Sequence, residues 1–243
     1  MKLDILVICA HPDDAELSCS GTLVKAINEG KKVGIVDLTK GEMGTRGTPE
    51  LRIQEAEKAS KIMGLAVRDN LGFADFFFKN DAEHQKEVSR IIRKYKPDLI
   101  ITNAPEDRHP DHGKGAQLVV DACFMSGLRK VETFEDGKSQ EPWRPVNVFH
   151  MIQSNFLMPD FVVDVTEEWE TKVEAIKAFG SQFFVGEGAD AAPGEPQTFI
   201  STPQFMQFLE ARAREYGQRV GAQFAEGFIK SAPIKVNSIL DLI

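Results

Sequence analysis

The sequence is poor in cysteine, in net positive charge and in long apolar runs. Its 243 residues include three cysteines, which form no Cys-x-x-Cys motif and cannot all pair, so we expect reduced thiols and a cytoplasmic location. A net charge of −8 does not supply the basic face that nucleic-acid binding needs. No apolar run approaches the ~20 residues that cross a membrane. We therefore expect neither a nucleic-acid partner nor a membrane span.

The first half of the chain alternates strand-like and helix-like segments. Apolar, β-branched runs predict strands at Ile5–Cys9, Val33–Leu38, Val67–Leu71 and Leu99–Thr102. Helical periodicity predicts helices at Leu17–Asn28, Glu50–Met63, Ala82–Tyr95 and Gly115–Ser126. This alternation predicts an α/β fold, a Rossmann-like, mostly parallel sheet flanked by helices on both faces. If the strands take the common order 3-2-1-4-5 across the sheet, the first and fourth strands are neighbours at the topological switch point. Ligands bind at that point, outside the carboxyl ends of the strands.

The second half is less regular, and we treat residues 1–243 as one domain. The pattern predicts strands at Val146–Gln153 and Phe161–Val165, helices at Glu167–Gly180 and Gln204–Gly217, and an edge strand at Ala222–Phe228. The segment Gly186–Pro196 is rich in glycine, alanine and proline and predicts a mobile loop.

Two short runs concentrate imidazoles and carboxylates, each soon after a predicted strand. Ala10–Glu16 follows the first strand and Arg108–His112 follows the fourth, and together they hold three of the five histidines. His11 and Asp14 are three residues apart at a helix entry, and His112 completes a His-Asp-His set. Two imidazoles and one carboxylate suit a divalent metal that keeps an open coordination position. We therefore interpret the chain as a metal-dependent enzyme.

Other residues of the two runs have candidate catalytic roles. Asp13 is either a general base for a metal-activated water or only the cap of the first helix. His109 either stabilises an oxyanion or protonates a leaving amine, unless it is a surface histidine. Asp111 is either a carboxylate that orients a histidine or a plain turn residue. Glu16 supports a ligand or favours the first helical turn through the dipole.

A glycine-spaced loop, Gly41–Pro49, follows the second strand. It lacks the Gly-x-Gly-x-x-Gly pattern and the position of a dinucleotide-binding loop, so we reject a nicotinamide or flavin cofactor. Arg46 and Arg52 are candidates for binding an anionic substrate, because a guanidinium pairs with a carboxylate through two hydrogen bonds. The alternatives are a solvated loop position for Arg46 and a helix ion pair with Glu55 for Arg52.

The two runs resemble those of the LmbE-like, or PIG-L, family of zinc-dependent N-acetylglucosamine deacetylases. Further matching segments are Gly41–Gly47, Thr48–Arg52, Gly127–Lys130 and Ala225–Phe228, so that the similarity covers nearly the whole chain. With these segments the chain looks like the bacillithiol-pathway branch of the family, which acts on N-acetylglucosaminyl-malate.

The resemblance implies specific roles. His11, Asp14 and His112 would hold zinc, Asp13 would be the base, and His109 would be the electrostatic stabiliser or acid. It also implies a homo-oligomer, commonly a hexamer. Some relatives use a C-terminal tyrosine as an oxyanion donor, and neither of the two tyrosines here, Tyr95 and Tyr216, matches that position. The second oxyanion donor is therefore left open.

The expected reaction is hydrolysis of the N-acetyl group of a glucosamine conjugate, releasing acetate and a free amino sugar. N-acetylglucosaminyl-malate is the expected substrate, and a different N-acetylglucosamine conjugate is one alternative. A second is a non-haem iron oxygenase, since two histidines and a carboxylate also bind ferrous iron. A third is a zinc-dependent binding module with His109 as a fourth ligand. Zn²⁺ is the expected cofactor, and Fe²⁺ also suits these ligands.

Overall fold

The computed structural model describes residues 1–184, 186 and 193–242. The strands are β1 (Ile5–Cys9), β2 (Val33–Thr39), β3 (Val67–Phe73), β4 (Leu99–Thr102), β5 (Phe134–Glu135), β6 (Lys138–Ser139), β7 (Asn147–Met151), β8 (Phe161–Asp164) and β9 (Ala225–Lys230). The helices are α1 (Asp14–Ser18), α2 (Ser20–Asn28), α3 (Pro49–Met63), α4 (Ala82–Tyr95), α5 (Pro110–Ser126), α6 (Trp169–Lys177) and α7 (Pro203–Val220). Most of the predicted loop Gly186–Pro196, residues 187–192, lies outside the described residues.

The central sheet has seven strands in the order β3-β2-β1-β4-β7-β9-β8. The first five of these run parallel to one another, and β9 is antiparallel to both β7 and β8. The short strands β5 and β6 form a separate hairpin. The predicted order is confirmed at β3-β2-β1-β4, so β1 and β4 lie side by side at the switch point.

Helices cover both faces of the sheet, which confirms the predicted fold class. One core cluster joins β1 to α4 and α5, and a second joins β1 to α1, α2, α3 and α6. Within β1, Leu6 and Ile8 belong to the first cluster, whereas Val7 and Cys9 belong to the second. All four are fully buried, which is why this strand is a continuous apolar run. Of the helices in the described ranges, none is both long and apolar enough to cross a membrane.

The predicted helix Leu17–Asn28 is wrong as a single element, because the chain breaks at Cys19 into α1 and α2. The carboxylate of Glu226, from β9, accepts hydrogen bonds from the backbone N–H groups of Gly21 and Thr22 at 3.0 and 2.7 Å. These are amides of the first turn of α2, which have no partner within a helix that starts there. A distant carboxylate therefore provides the cap that the break requires.

The prediction of an edge strand at Ala222–Phe228 is also wrong. The observed strand β9 lies inside the sheet between β7 and β8, and β8 forms the edge. Phe228 is 1% exposed and stacks on Phe161 of β8 at a centroid distance of 5.4 Å. An inner strand is hydrogen-bonded to a neighbouring strand on each side. An edge strand has such a neighbour on one side only.

Lys172 and Glu226 form a buried ion pair, and breaking it is expected to destabilise the fold. The Lys172 Nζ lies 2.6 Å from Glu226 Oε1 and also donates to the carbonyl of Leu17 at 3.0 Å. Replacing Lys172 by Met leaves an uncompensated buried carboxylate, so we expect the free energy of unfolding to fall by about 3–5 kcal/mol. Urea denaturation measures this change. The control is Lys230→Met, which breaks the part-exposed pair with Asp160 and should cost far less, because solvent screens an exposed ion pair. Equal losses in both variants would contradict the prediction.

Candidate active site

A cavity of about 590 Å³ lies at the carboxyl ends of the parallel strands. Its wall includes His11 after β1, Asp75 after β3, His109 and His112 after β4, and Gln153 after β7. The two runs that are about a hundred residues apart in sequence therefore meet in one cavity. This is the position that the switch-point rule predicts for a ligand in a parallel sheet.

Asp13 sits at the start of α1 in a conformation that few L-residues adopt. Its φ is 124°, and although it occupies the N-cap position of α1, its side chain makes no capping hydrogen bond, so the interpretation that its carboxylate caps the helix is wrong. The carboxylate lines the cavity and accepts from Arg52 Nη1 at 3.2 Å. Burial raises the pKa of Asp13 to about 7, although the nearby Arg52 charge opposes that rise. Backbone strain of this kind persists where the surroundings enforce it, often at functional sites.

Asp14 is almost fully buried, and its two oxygens face two imidazoles. Its Oδ2 lies 3.6 Å from His11 Nδ1, and its Oδ1 lies 3.2 Å from His112 Nε2. Asn103 Nδ2 donates to Oδ2 at 3.0 Å, and Gln153 Nε2 donates to Oδ1 at 2.8 Å. Burial acts to raise the pKa of Asp14, but the two histidines lower it well below its usual value. The carboxylate is thus fixed in position between His11 and His112.

His112 lies in the first turn of α5, because that helix begins at Pro110 rather than at the predicted Gly115. Proline is favoured at this position, since the amide that it lacks has no partner there. The His112 Nδ1 is 2.5 Å from Asp107 Oδ2, while its Nε2 faces Asp14. Burial opposes the charge on His112, but the two carboxylates raise its pKa to about 9. Such a carboxylate–imidazole pair orients the ring toward a ligand.

His109 and Asp111 occupy different depths of the site. His109 is half-buried on the cavity wall, and its Nδ1 accepts from the backbone N–H of Asp111 at 3.3 Å. Burial and the neighbouring histidines lower the pKa of His109. Asp111 is fully buried, with Oδ2 at 3.4 Å from His11 Nε2, and Asp75 Oδ1 lies 3.1 Å from the same nitrogen. Asp111 therefore contacts a histidine, as expected for an orienting carboxylate.

The two predicted substrate-binding arginines differ in orientation. Arg46 is buried and does not line the cavity; its guanidinium donates to the carbonyl oxygens of Ser181, Glu195 and Pro196. The prediction that it faces a bound anion is not met in this structure. Arg52 does line the cavity, but its ion pair is with Asp13 and not with Glu55. Both guanidinium groups are therefore already engaged by the protein's own oxygen atoms.

Glu16 and the two tyrosines lie away from the reacting centre. Glu16 is fully buried and pairs with Arg68 at 2.5 Å. Tyr216 donates to the carbonyl of Leu157 at 3.3 Å, and Tyr95 donates to Asp69. Of the described residues that form the cavity wall, none is a tyrosine.

Two sets of three donors that contain both His11 and His112 could hold a metal ion. Asp14 completes one set through the contacts given above, and His109 completes the other, with ring nitrogens all within 4.8 Å of one another. A further set, His11 with Asp75 and Asp111, also has its donor atoms within 4.8 Å of one another. With Asp14 as the third donor, the second nitrogen of His11 and of His112 faces another carboxylate. The carboxylates of Asp14 and Asp107 raise the pKa of His112 because they favour a positive charge between them. A divalent cation would supply such a charge. Imidazole and carboxylate donors of this kind fit Zn²⁺.

Besides Asp107, which pairs with His112, sequence reasoning missed three residues of the site: Asn103, Gln153 and Asp75. Asn103 follows β4 directly, Gln153 follows β7, and Asp75 follows β3. Each is a single polar residue outside a recognisable motif. The usable signal is their position at the carboxyl ends of predicted parallel strands, where polar side chains converge on one edge.

The chain is similar in sequence to a known family and to several named proteins. Residues 6–123 match the family described as PIG-L: GlcNAc-PI de-N-acetylase. The chain is 28% identical over 237 residues to the diacetylchitobiose deacetylase of Thermococcus kodakarensis, covering 92% of this chain and 81% of the relative. It is 30% identical over 201 residues to the probable N-acetyl-alpha-D-glucosaminyl L-malate deacetylase 2 of Bacillus subtilis, covering 75% and 84% respectively.

A solved structure shares nearly the whole fold. The crystal structure of the conserved protein TT1542 from Thermus thermophilus superposes with a TM-score of 0.84 and 34% identity, covering 98% of each chain. Together, these similarities extend well beyond the two runs that first indicated a metal site. The chain belongs to the PIG-L (LmbE-like) family.

Proposed function

We propose that this protein is a metal-dependent N-deacetylase that hydrolyses the acetamide of an N-acetylglucosamine conjugate, releasing acetate and the free amine. The observation that carries the proposal is the buried carboxylate of Asp13 on the wall of the cavity, next to the His11, Asp14 and His112 donors. A binding module needs donors for its metal but no such additional acid–base group. Family membership supports the same reaction class.

His11, Asp14 and His112 are the ligands that we assign to the metal. Each oxygen of Asp14 faces one of the two imidazoles, whereas His109 is half-exposed and free to meet a substrate. A bound zinc ion supplies polarisation of the amide carbonyl and lowers the pKa of a coordinated water to about 7. Fe²⁺ suits the same donors, and metal content in the isolated protein decides between the two.

Asp13 is the general base in this proposal. A carboxyl group with a pKa of about 7 can take a proton from the attacking water and later release it to the leaving amine. The carboxylate is held by Arg52 and by its strained backbone, so its oxygen stays on the cavity wall. The proton balance closes, because the proton that water loses is the one that the amine gains.

His109 is the residue that we assign to the developing oxyanion. Its Nδ1 accepts the Asp111 backbone N–H, so the neutral ring carries its proton on Nε2. Its lowered pKa favours that neutral form. A hydrogen bond from this Nε2–H to the tetrahedral oxygen is stronger in the transition state than in the substrate, which is the condition for catalysis.

The substrate is specified further by the group that is attached to its amino sugar. Malate, expected from the sequence, has carboxylates that need cations, and the cavity wall offers the exposed Arg108, whereas Arg52 is paired with Asp13. A relative named as a probable malate-conjugate deacetylase supports this choice. A sugar is the second candidate, because aromatic side chains line the same cavity and another relative is named a diacetylchitobiose deacetylase.

Acetate release tests the proposed function. We expect zinc-loaded protein to release acetate from N-acetylglucosamine conjugates, and chelator-stripped protein to recover activity only when metal is restored. N-acetylglucosaminyl-malate, N,N′-diacetylchitobiose and free N-acetylglucosamine are compared in parallel, with oxygen consumption recorded in each reaction. Bound metal with no acetate from any of them would contradict the proposal. Oxygen consumption in its place would favour the iron oxygenase.

We also infer that residues 1–243 act as one catalytic unit, in the cytoplasm and as a homo-oligomer. The three cysteines are buried and unpaired, as in proteins of reducing compartments. The resemblance to a family whose members are often oligomeric supports the homo-oligomer.

A further inference from the structure

Ser231 directly follows strand β9 and is exposed to solvent. Its backbone N–H donates to the carbonyl of Val148, in β7, at 3.1 Å, so the hydrogen bonding between these two strands continues to this residue. A side chain that is held by a sheet is positioned more precisely than a side chain on a loop. Ser231 is therefore both accessible to a reagent and fixed in place.

The hydroxyl of Ser231 contacts a buried histidine. Its Oγ lies 2.9 Å from Nε2 of His150, a residue of β7 that is 7% exposed. The other ring nitrogen of His150, Nδ1, lies 2.8 Å from the backbone carbonyl oxygen of Asn103. A carbonyl oxygen can only accept a hydrogen bond, so Nδ1 carries a proton and donates it. In the neutral ring, Nε2 is then the acceptor, and the Ser231 hydroxyl donates to it.

The neutral form of His150 is the form that the surroundings favour. Burial lowers the pKa of His150, although the hydrogen bond to the Asn103 carbonyl opposes that fall. A neutral imidazole has the free electron pair that a general base needs. Ser231, His150 and the Asn103 carbonyl thus stand in the order nucleophile, base and orienting group. This is the arrangement that activates a serine hydroxyl for covalent chemistry.

The Ser231–His150 pair is separate from the metal site. Neither residue is among those that the structure describes on the wall of the catalytic cavity. Asn103 lies between the two sites, because its carbonyl accepts from His150 while its side-chain Nδ2 donates to Asp14. None of the groups that act on the Ser231 hydroxyl is a ligand that we assign to the metal. A reaction at Ser231 therefore needs no metal ion.

We propose that Ser231 is a nucleophile, with His150 as its base, and that it takes the acyl group of an activated ester. The Oγ bonds to the carbonyl carbon of the ester while its proton passes to His150 Nε2. The C–O bond of the ester then breaks, and the departing oxygen takes that proton from His150. The products are an acyl-serine and an alcohol or phenol, so no further reactant is needed. This inference goes beyond the proposed deacetylase function and does not rest on it.

The test uses p-nitrophenyl acetate and the zinc-loaded protein. Peptide mass spectrometry follows acetyl groups on individual serines over time. We expect Ser231 to be acetylated about 100-fold faster than Ser139, the low end of what a general base contributes. Ser139 is also exposed and lies on β6, so it is a control within the same sample. Equal rates at the two serines would overturn the proposal and leave the contact with His150 as a structural hydrogen bond.

A variant tests the role of the base. We expect His150→Gln to lower the acetylation rate of Ser231 to that of Ser139, whereas Ser139→Ala should leave the rate at Ser231 unchanged. Fast acetylation of Ser231 in a folded His150→Gln protein would exclude His150 as the base. If that variant does not fold, the comparison of the two serines in the wild type still decides whether Ser231 is activated. Acetate release from N-acetylglucosamine conjugates is measured separately, and its absence would overturn the deacetylase function alone.

Discussion

Replacing Asp13 by Asn is expected to lower kcat for acetate release by about 100- to 10,000-fold, the usual contribution of a general base. The amide keeps the size of the side chain but cannot accept the proton of the attacking water. Because Asp13 is not among the donors assigned to the metal, the variant should retain its metal. Steady-state kinetics, together with metal analysis of the same sample, measure both quantities.

The control for this variant is Asp136→Asn. Asp136 lies in the exposed turn between β5 and β6 with a φ of 50°, a conformation that Asn also tolerates. We expect wild-type kcat and metal content in that protein. Full activity in Asp13→Asn would exclude the base role, and loss of metal would show that Asp13 belongs to the ligand set.

Replacing His112 by Ala is expected to abolish both metal binding and activity. The substitution removes one of the three assigned donors and leaves Asp107 and Asp14 facing each other across a gap, with no imidazole between them. Metal analysis after dialysis and acetate release under zinc saturation measure the result. We expect less than one tenth of the wild-type metal content.

His109→Ala decides which of the two donor sets is correct. If Asp14 completes the set, His109→Ala keeps its metal and loses only turnover. If His109 is a ligand, both histidine variants lose metal, which would favour a closed structural site. His84→Ala is the control outside the site, since His84 lies on α4, pairs with Asp81 just before that helix and does not line the cavity.

The fold was predictable where local periodicity and burial agree. The strands Ile5–Cys9 and Leu99–Thr102 and the helix Ala82–Tyr95 have the predicted bounds, because each is a continuous pattern between clear end signals. The break at Cys19 was not predictable. It depends on a carboxylate from Glu226, about two hundred residues away, and no local pattern carries that contact.

The site was predictable in its motif residues and not in their orientation. His11, Asp13, Asp14, His109 and His112 meet in one cavity, because strands β1 and β4 are neighbours. The φ of Asp13, and the lack of a capping hydrogen bond from its carboxylate, cannot be read from a residue type. The guanidinium of Arg46 donates to the carbonyl oxygen of Ser181. No residue close to Arg46 in the sequence indicates this partner. Side-chain orientation in a loop is set by tertiary contacts, which periodicity does not report.

The position of β9 affects the order in which this protein can fold during its synthesis. Strand β8 leaves the ribosome before β9, yet within the described part of the chain β9 is the strand with which β8 pairs. Until Ala225–Lys230 has been made, β8 has no ladder to join, and the first turn of α2 has no carboxylate to accept its amides. Pairings between such distant segments form slowly. The first turn of α2 therefore depends for its cap on a strand that is translated about two hundred residues later.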